Sequence, residues 1–174
     1  MSNETLLKTI RTIPDYPKPG ILFYDVTTLF KDAEAFREAA DRLYETYKDK
    51  GITKVVGIES RGFILGSILA YRLGAGFVMV RKPGKLPAET VEISYEKEYG
   101  TDTIQIHKDA IGPEDTVLMH DDLLATGGTM QAACQMVKGM HPKKIYVNFL
   151  IELKELNGRS VFGNDIELDT LLTV

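Results

Sequence analysis

Beginning at Asp32, apolar residues fall at Phe36, Ala39, Ala40, Leu43, Tyr44 and Tyr47, the three-and-four spacing of one helix face. Asp32 is placed to cap the start of that helix, and Gly51 stands where it would stop. Residues 54–60 (KVVGIES) form a short apolar run that turns polar, which predicts a strand. Helical spacing returns at Phe63, Ile64, Ser67, Ile68 and Tyr71 and lasts until Gly74. A second strand is predicted over 77–81, so strand, helix and strand follow in the order of a right-handed parallel crossover. The unit then repeats, with a strand at 117–120, a helix over 130–140 ended by Pro142, and a third buried strand at 145–151 (IYVNFLI). Continuous apolar runs, rather than alternating ones, are what a sheet covered on both faces requires. The predicted class is α/β: a doubly wound, mostly parallel sheet flanked by helices.

One stretch departs from this rhythm. Over 82–103 the chain carries prolines at 83 and 87, glycines at 84 and 100 and many charges. Its centre alternates Val91, Ile93 and Tyr95 with Glu92, Ser94 and Glu96, as in an exposed β-hairpin. Connectors of this length are usually lids or disordered, and the segment has too few apolar residues to be held down by burial. It is expected to be a long, flexible hairpin lid over 82–102. With no internal repeat and no linker, the remainder reads as a single domain over 1–174.

Composition narrows the setting. The chain has 21 Lys+Arg against 25 Asp+Glu, a net charge of −4, with the signs interspersed and no basic block to track a nucleic-acid backbone. Its single cysteine, Cys134, cannot form an internal disulfide and is ordinary in a reducing compartment. The N-terminus lacks a signal-peptide pattern, and no apolar run approaches the ~20 residues of a membrane helix. A cytoplasmic protein, free of membrane and nucleic acid, is expected. His107 and His141 have no metal-ligand spacing to another residue, and Cys134 reads as a buried small hydrophobe.

In parallel α/β sheets ligands bind beyond the carboxyl ends of the strands, so the chemistry is sought there. The strongest string is VLMHDDLLATGGTM (117–130): a strand, two acids, then small residues leading into a helix. Gly127 and Gly128 let backbone N–H groups approach an anion, Thr126 and Thr129 add hydroxyls, and the helix dipole favours negative charge. No Lys follows the glycines, and there is no GxGxxG, so neither common nucleotide loop is present. Taken alone, TGGT could equally be a helix cap beside two solvated aspartates.

The whole string resembles the phosphoribosyl-pyrophosphate motif of the type I phosphoribosyltransferase family. PKPGILFYDVT (17–27), GIESRGF (57–63), RKPGKLPAET (81–90), EYGTD (98–102) and ELNGR (155–159) are similar, in order and over nearly the full length, to its adenine-specific members. His120 stands where that family usually carries an aliphatic residue.

The resemblance implies purine salvage: transfer of ribose 5-phosphate from phosphoribosyl pyrophosphate to adenine, giving AMP and pyrophosphate. It implies that Ala125, Thr126, Gly127, Gly128 and Thr129 hold the 5-phosphate. Asp121 and Asp122 would accept hydrogen bonds from the ribose hydroxyls and stabilise the positive charge that develops as pyrophosphate leaves. Ser60, Arg61, Arg81, Lys82, Lys85 and Tyr99 would receive the pyrophosphate, Arg61 by its planar fork. Leu22, Phe23 and Tyr24 would take adenine, Phe23 by stacking and its neighbours by backbone hydrogen bonds. Glu98 would be general acid or base, making Glu98, Arg61 and Asp122 the catalytic set. Magnesium would travel on phosphate oxygens and waters, with no direct protein ligands expected. A homodimer is implied as well.

Two other functions stay open at this point. A phosphoribosyl-pyrophosphate-sensing DNA-binding regulator would add a DNA-binding domain, and the acidic balance and the sixteen residues before PKPG argue against one. A sister transferase for xanthine, guanine or orotate differs by a donor where adenine needs an acceptor. Backbone orientation decides that choice, and a panel of bases would discriminate.

Overall fold

In a computed structural model, which describes residues 1–97 and 100–174, five parallel strands make the central sheet. They are β3 (Lys54–Ile58), β4 (Gly76–Val80), β7 (Thr116–Leu124), β8 (Lys144–Glu152) and β9 (Glu167–Thr173), in the order β4-β3-β7-β8-β9. Side chains alternate across the sheet into two cores. Val55, Leu118, Tyr146 and Leu150 face a layer holding α3 (Ala33–Tyr47) and α4 (Gly62–Leu73). Val56, Val117, Met119, Val147 and Phe149 face the other, holding α5 (Gly128–Lys138). Both faces are covered, as the continuous apolar runs required.

Local signals behave as their chemistry demands. The Asp32 carboxylate accepts from the N–H groups of Glu34 and Ala35 at 3.0 and 2.9 Å, capping α3. Gly74 closes α4 at φ +66°, the left-handed conformation glycine adopts without penalty. The strand at 117–120 continues to Leu124, so both aspartates lie in β7 rather than beyond it. The periodic pattern did not reveal α1 (Asn3–Thr9), the hairpin of β1 (Arg11–Pro14) and β2 (Leu22–Asp25), the short α2 (Thr27–Lys31), or β9. Each is short or has one exposed face.

The hairpin predicted over 82–102 is present as β5 (Thr90–Glu96) against β6 (Thr101–His107), with its stem packed against the core. Val91, Ile93 and Tyr95 pack on the core beneath α5, and Ile104 and Ile106 are buried. The Tyr95 hydroxyl lies 2.9 Å from that of Thr129. The stem is therefore anchored by burial. No described helix is long and apolar enough to cross a membrane.

Candidate active site

The carboxyl ends of β3 and β7 are adjacent, and each feeds a helix that no side chain caps: α4 after Arg61, α5 after Gly127. An uncapped helix start leaves backbone N–H donors and the positive end of the dipole free for an anion. After β7 the loop 125–129 curls around a cavity of about 100 Å³ lined by Asp121, Ala125 to Thr129 and Phe149. Ligand pockets usually hold about 300–1,000 Å³, so this one suits a single anionic group rather than a whole substrate. Gly127 has φ +82°, and a Cβ there would stand 2.6 Å from the carbonyl oxygen of Gly158. At Gly158 a Cβ would meet the Ala125 carbonyl oxygen at 2.1 Å. The loop is thus moulded by backbone pressed against backbone.

Asp122 is 3 % exposed, and its carboxylate forms an ion pair with Arg61 Nε at 2.5 Å. Its N–H donates to Asp121 Oδ1 at 2.9 Å. Burial, reinforced by the neighbouring Asp122 charge, pushes the Asp121 carboxyl well above the usual carboxylate range. Gly62 makes this proximity possible, because a Cβ there would lie 2.8 Å from the His120 carbonyl oxygen and 3.0 Å from Asp121 Oδ1. One residue earlier His120 is fully buried, with Nδ1 2.6 Å from Asn148 Oδ1. Burial lowers its pKa to about 4, so it is neutral.

Beside β3 the cations gather differently. Arg81 and Lys85 pair with Glu59, while Lys82 and Lys97 pair with Asp102. These cations hold the Glu59 carboxyl down at about 2, despite the opposing effect of burial, and lower that of Asp102. Neither acid was singled out in the sequence. Glu59 adjoins Ser60 in GIES, but no local pattern marks it, and Asp102 lies twenty residues along the chain from the Lys82 it meets. Ser60 is exposed at the β3 tip. Glu98 and Tyr99 lie outside the described residues.

Leu22, Phe23 and Tyr24 stand on the separate β1–β2 hairpin. Phe23 receives the edge of Tyr16 with ring centroids 5.2 Å apart, Leu22 is exposed, and Tyr24 packs on the α3 core. The described residues contain no cluster of three or more His, Cys, Asp or Glu able to hold a metal.

Residues 26–161 match the family model described as "Phosphoribosyl transferase domain". The chain belongs to that family. Among curated relatives, the adenine phosphoribosyltransferase of Bacteroides fragilis is 72% identical over 169 residues, 97% of this chain and 95% of that one. That of Bacteroides thetaiotaomicron is 70% identical over 174 residues, covering 100% and 99%. Among solved structures of the family, adenine phosphoribosyltransferase from Rhodothermus marinus is 50% identical, with a TM-score of 0.92 over 99% of this chain and 98% of that one. The Giardia lamblia enzyme, complexed with 9-deazaadenine, is 42% identical, with a TM-score of 0.94 over 100% and 98%.

Proposed function

We infer that this phosphoribosyltransferase family member is an enzyme of purine salvage, transferring ribose 5-phosphate from phosphoribosyl pyrophosphate to adenine to give AMP and pyrophosphate. Identity of 70–72% to adenine phosphoribosyltransferases over essentially the whole chain carries this reading. The site supports it through two anion seats flanking a pair of carboxylates. The 5-phosphate sits on Ala125, Thr126, Gly127, Gly128 and Thr129, and the carboxylates of Asp121 and Asp122 accept from the ribose hydroxyls. Arg61, already on Asp122, turns its free edge to the pyrophosphate together with Ser60, Arg81, Lys82, Lys85 and Tyr99. As the bond to pyrophosphate lengthens, negative charge grows toward these donors and positive charge on the ribose grows beside the two acids, each in a fixed field of opposite sign.

Adenine stacks on Phe23, with the backbone of Leu22 and Tyr24 reading its edge, and Glu98 exchanges the proton on the base. Magnesium would enter on substrate oxygens, where it would supply charge neutralisation to the pyrophosphate. The chain functions as one domain over 1–174, with 82–102 as its lid, in the cytoplasm. It acts as a homodimer, for which exposed Ile64, Tyr71 and Met79 on α4 and the edge strand β4 offer apolar surface.

Pyrophosphate release, measured with magnesium, phosphoribosyl pyrophosphate and a panel of bases, tests the reaction. Adenine should be the preferred acceptor, and faster turnover with hypoxanthine, guanine or xanthine would overturn the assignment. Sedimentation should give twice 19.4 kDa. A monomer at micromolar concentration would remove the dimer from this reading.

A further inference from the structure

The basic residues beside β3 do not stand free. Lys85 Nζ donates to Glu59 Oε1 at 2.7 Å, the Lys82 backbone N–H to Oε2 at 3.0 Å, and the Arg81 fork spans both oxygens at 3.3 and 3.4 Å. One carboxylate thereby collects two cations and a backbone donor, the same kind of set that an end of pyrophosphate would need. The Glu59 side chain is 14 % exposed, and its own N–H is tied to the Val80 carbonyl at 2.9 Å, so it is fixed between β3 and β4. The Arg81 contacts are longer than the ~2.7–2.9 Å of a well-made charge-assisted bond, which makes that fork the easiest donor to share.

We propose that Glu59 is a positioning residue serving as the resident counter-anion of the pyrophosphate seat: it keeps Arg81, Lys85 and the Lys82 N–H converged when the seat is empty, and competes with pyrophosphate for them when it is full. This rests on the functional reading above. Without the carboxylate, Arg81 and Lys85 would repel one another and lose a shared aim. With it, part of their charge is already spent, so pyrophosphate is held less tightly and leaves sooner. A purely structural carboxylate and a competing one predict opposite signs. Removing a scaffold disorders the donors and weakens anion binding, whereas removing a competitor strengthens it.

Glu59→Gln separates the two, because the amide keeps the shape and one acceptor oxygen while losing the charge. Titration calorimetry of the full chain with magnesium pyrophosphate should give roughly three- to tenfold tighter binding in Glu59→Gln and little change in Glu59→Asp. In steady state, KM for phosphoribosyl pyrophosphate should fall together with kcat in Glu59→Gln as product departs more slowly. In an Arg81→Ala/Lys85→Ala background, Glu59→Gln should no longer tighten binding. Unchanged or weaker pyrophosphate binding in Glu59→Gln, or tightening that persists in that background, overturns the proposal.

Should Glu59→Gln not fold, the wild-type chain provides the test. On titration with magnesium pyrophosphate the Lys82 amide resonance should move as its acceptor changes. A Lys82 amide that stays fixed while the residues around it respond overturns the proposal. Wild-type protein that neither binds pyrophosphate nor consumes phosphoribosyl pyrophosphate with adenine would overturn the functional reading itself. Active wild-type protein with no effect at Glu59 overturns this inference alone.

Discussion

The two anion seats are built on opposite principles. Beyond β7 the seat is made of main chain: an uncapped helix start and a loop in which a Cβ on Gly127 would collide with Gly158 and Val161 of a later turn. Beside β3 it is made of long cationic side chains already engaged by Glu59 and Asp102. A backbone seat carries only partial charges, so it keeps its shape when empty without any counter-ion. A seat of full charges repels itself when empty and needs resident acids to hold it together. The first should therefore be sensitive to shape and the second to charge.

The largest effect is expected between the seats. Asp122→Asn removes the charge facing both Arg61 and the ribose, and turnover should fall by roughly 10²–10³-fold, with far-ultraviolet circular dichroism unchanged. Near-normal kcat in this variant would show that the paired acids do not separate the seats' roles. Next comes the backbone seat. Gly127→Ala forces a Cβ to within 2.6 Å of the Gly158 oxygen at φ +82°. It should cost roughly 1–3 kcal/mol of stability and raise KM for phosphoribosyl pyrophosphate, seen together in thermal melts and kinetics.

Single cation removals should do less. Lys82→Ala is expected to raise that KM several-fold, with an effect that shrinks as salt rises, because the residue is partly exposed and its neighbours share the load. If Lys82→Ala costs more than Gly127→Ala, the contrast between shape and charge is wrong. The smallest effect concerns pH. His120 has a folded pKa of about 4 against 6.5 unfolded, so between these values the unfolded chain binds protons the native chain refuses. Stability should fall as pH drops from about 6.5 to about 4, and His120→Leu should flatten that part of the melting-temperature profile. Glu59, lowered to about 2 from 4.5, contributes stability that is lost mainly at lower pH, as it falls from about 4.5 to about 2.

How much could be read beforehand follows the same division. The strands that build the sheet announced themselves through continuous apolar runs, and α3 through its cap and face, because burial on both sides leaves few alternative patterns. The β7 loop was legible because glycines and hydroxyls at a strand end have few other uses. What escaped were features set by tertiary partners. Val91, Ile93 and Tyr95 alternate like any half-exposed strand, and only the fold places α5 over them. Glu59 looked like the polar end of an apolar run, since nothing local tells an acid that three donors will converge on it. The Asn148 partner of His120 lies 28 residues away on the neighbouring strand.

The contact between Gly158 and Ala125 bears on how such a site could be transplanted. The 125–129 loop would commonly be treated as a portable motif, a short cassette to be grafted onto another sheet. Its curvature, however, is enforced by a turn some thirty residues downstream, and that turn is clamped to the sheet by Arg159, which donates to both Glu152 oxygens at 2.8 and 2.9 Å and to the Leu168 carbonyl at 3.0 Å. A graft carrying only the first stretch would bring the letters of the motif without its mould. The smallest inheritable unit is the loop together with β8, the 158–161 turn and β9, and swaps between family members should keep activity when all of these travel together.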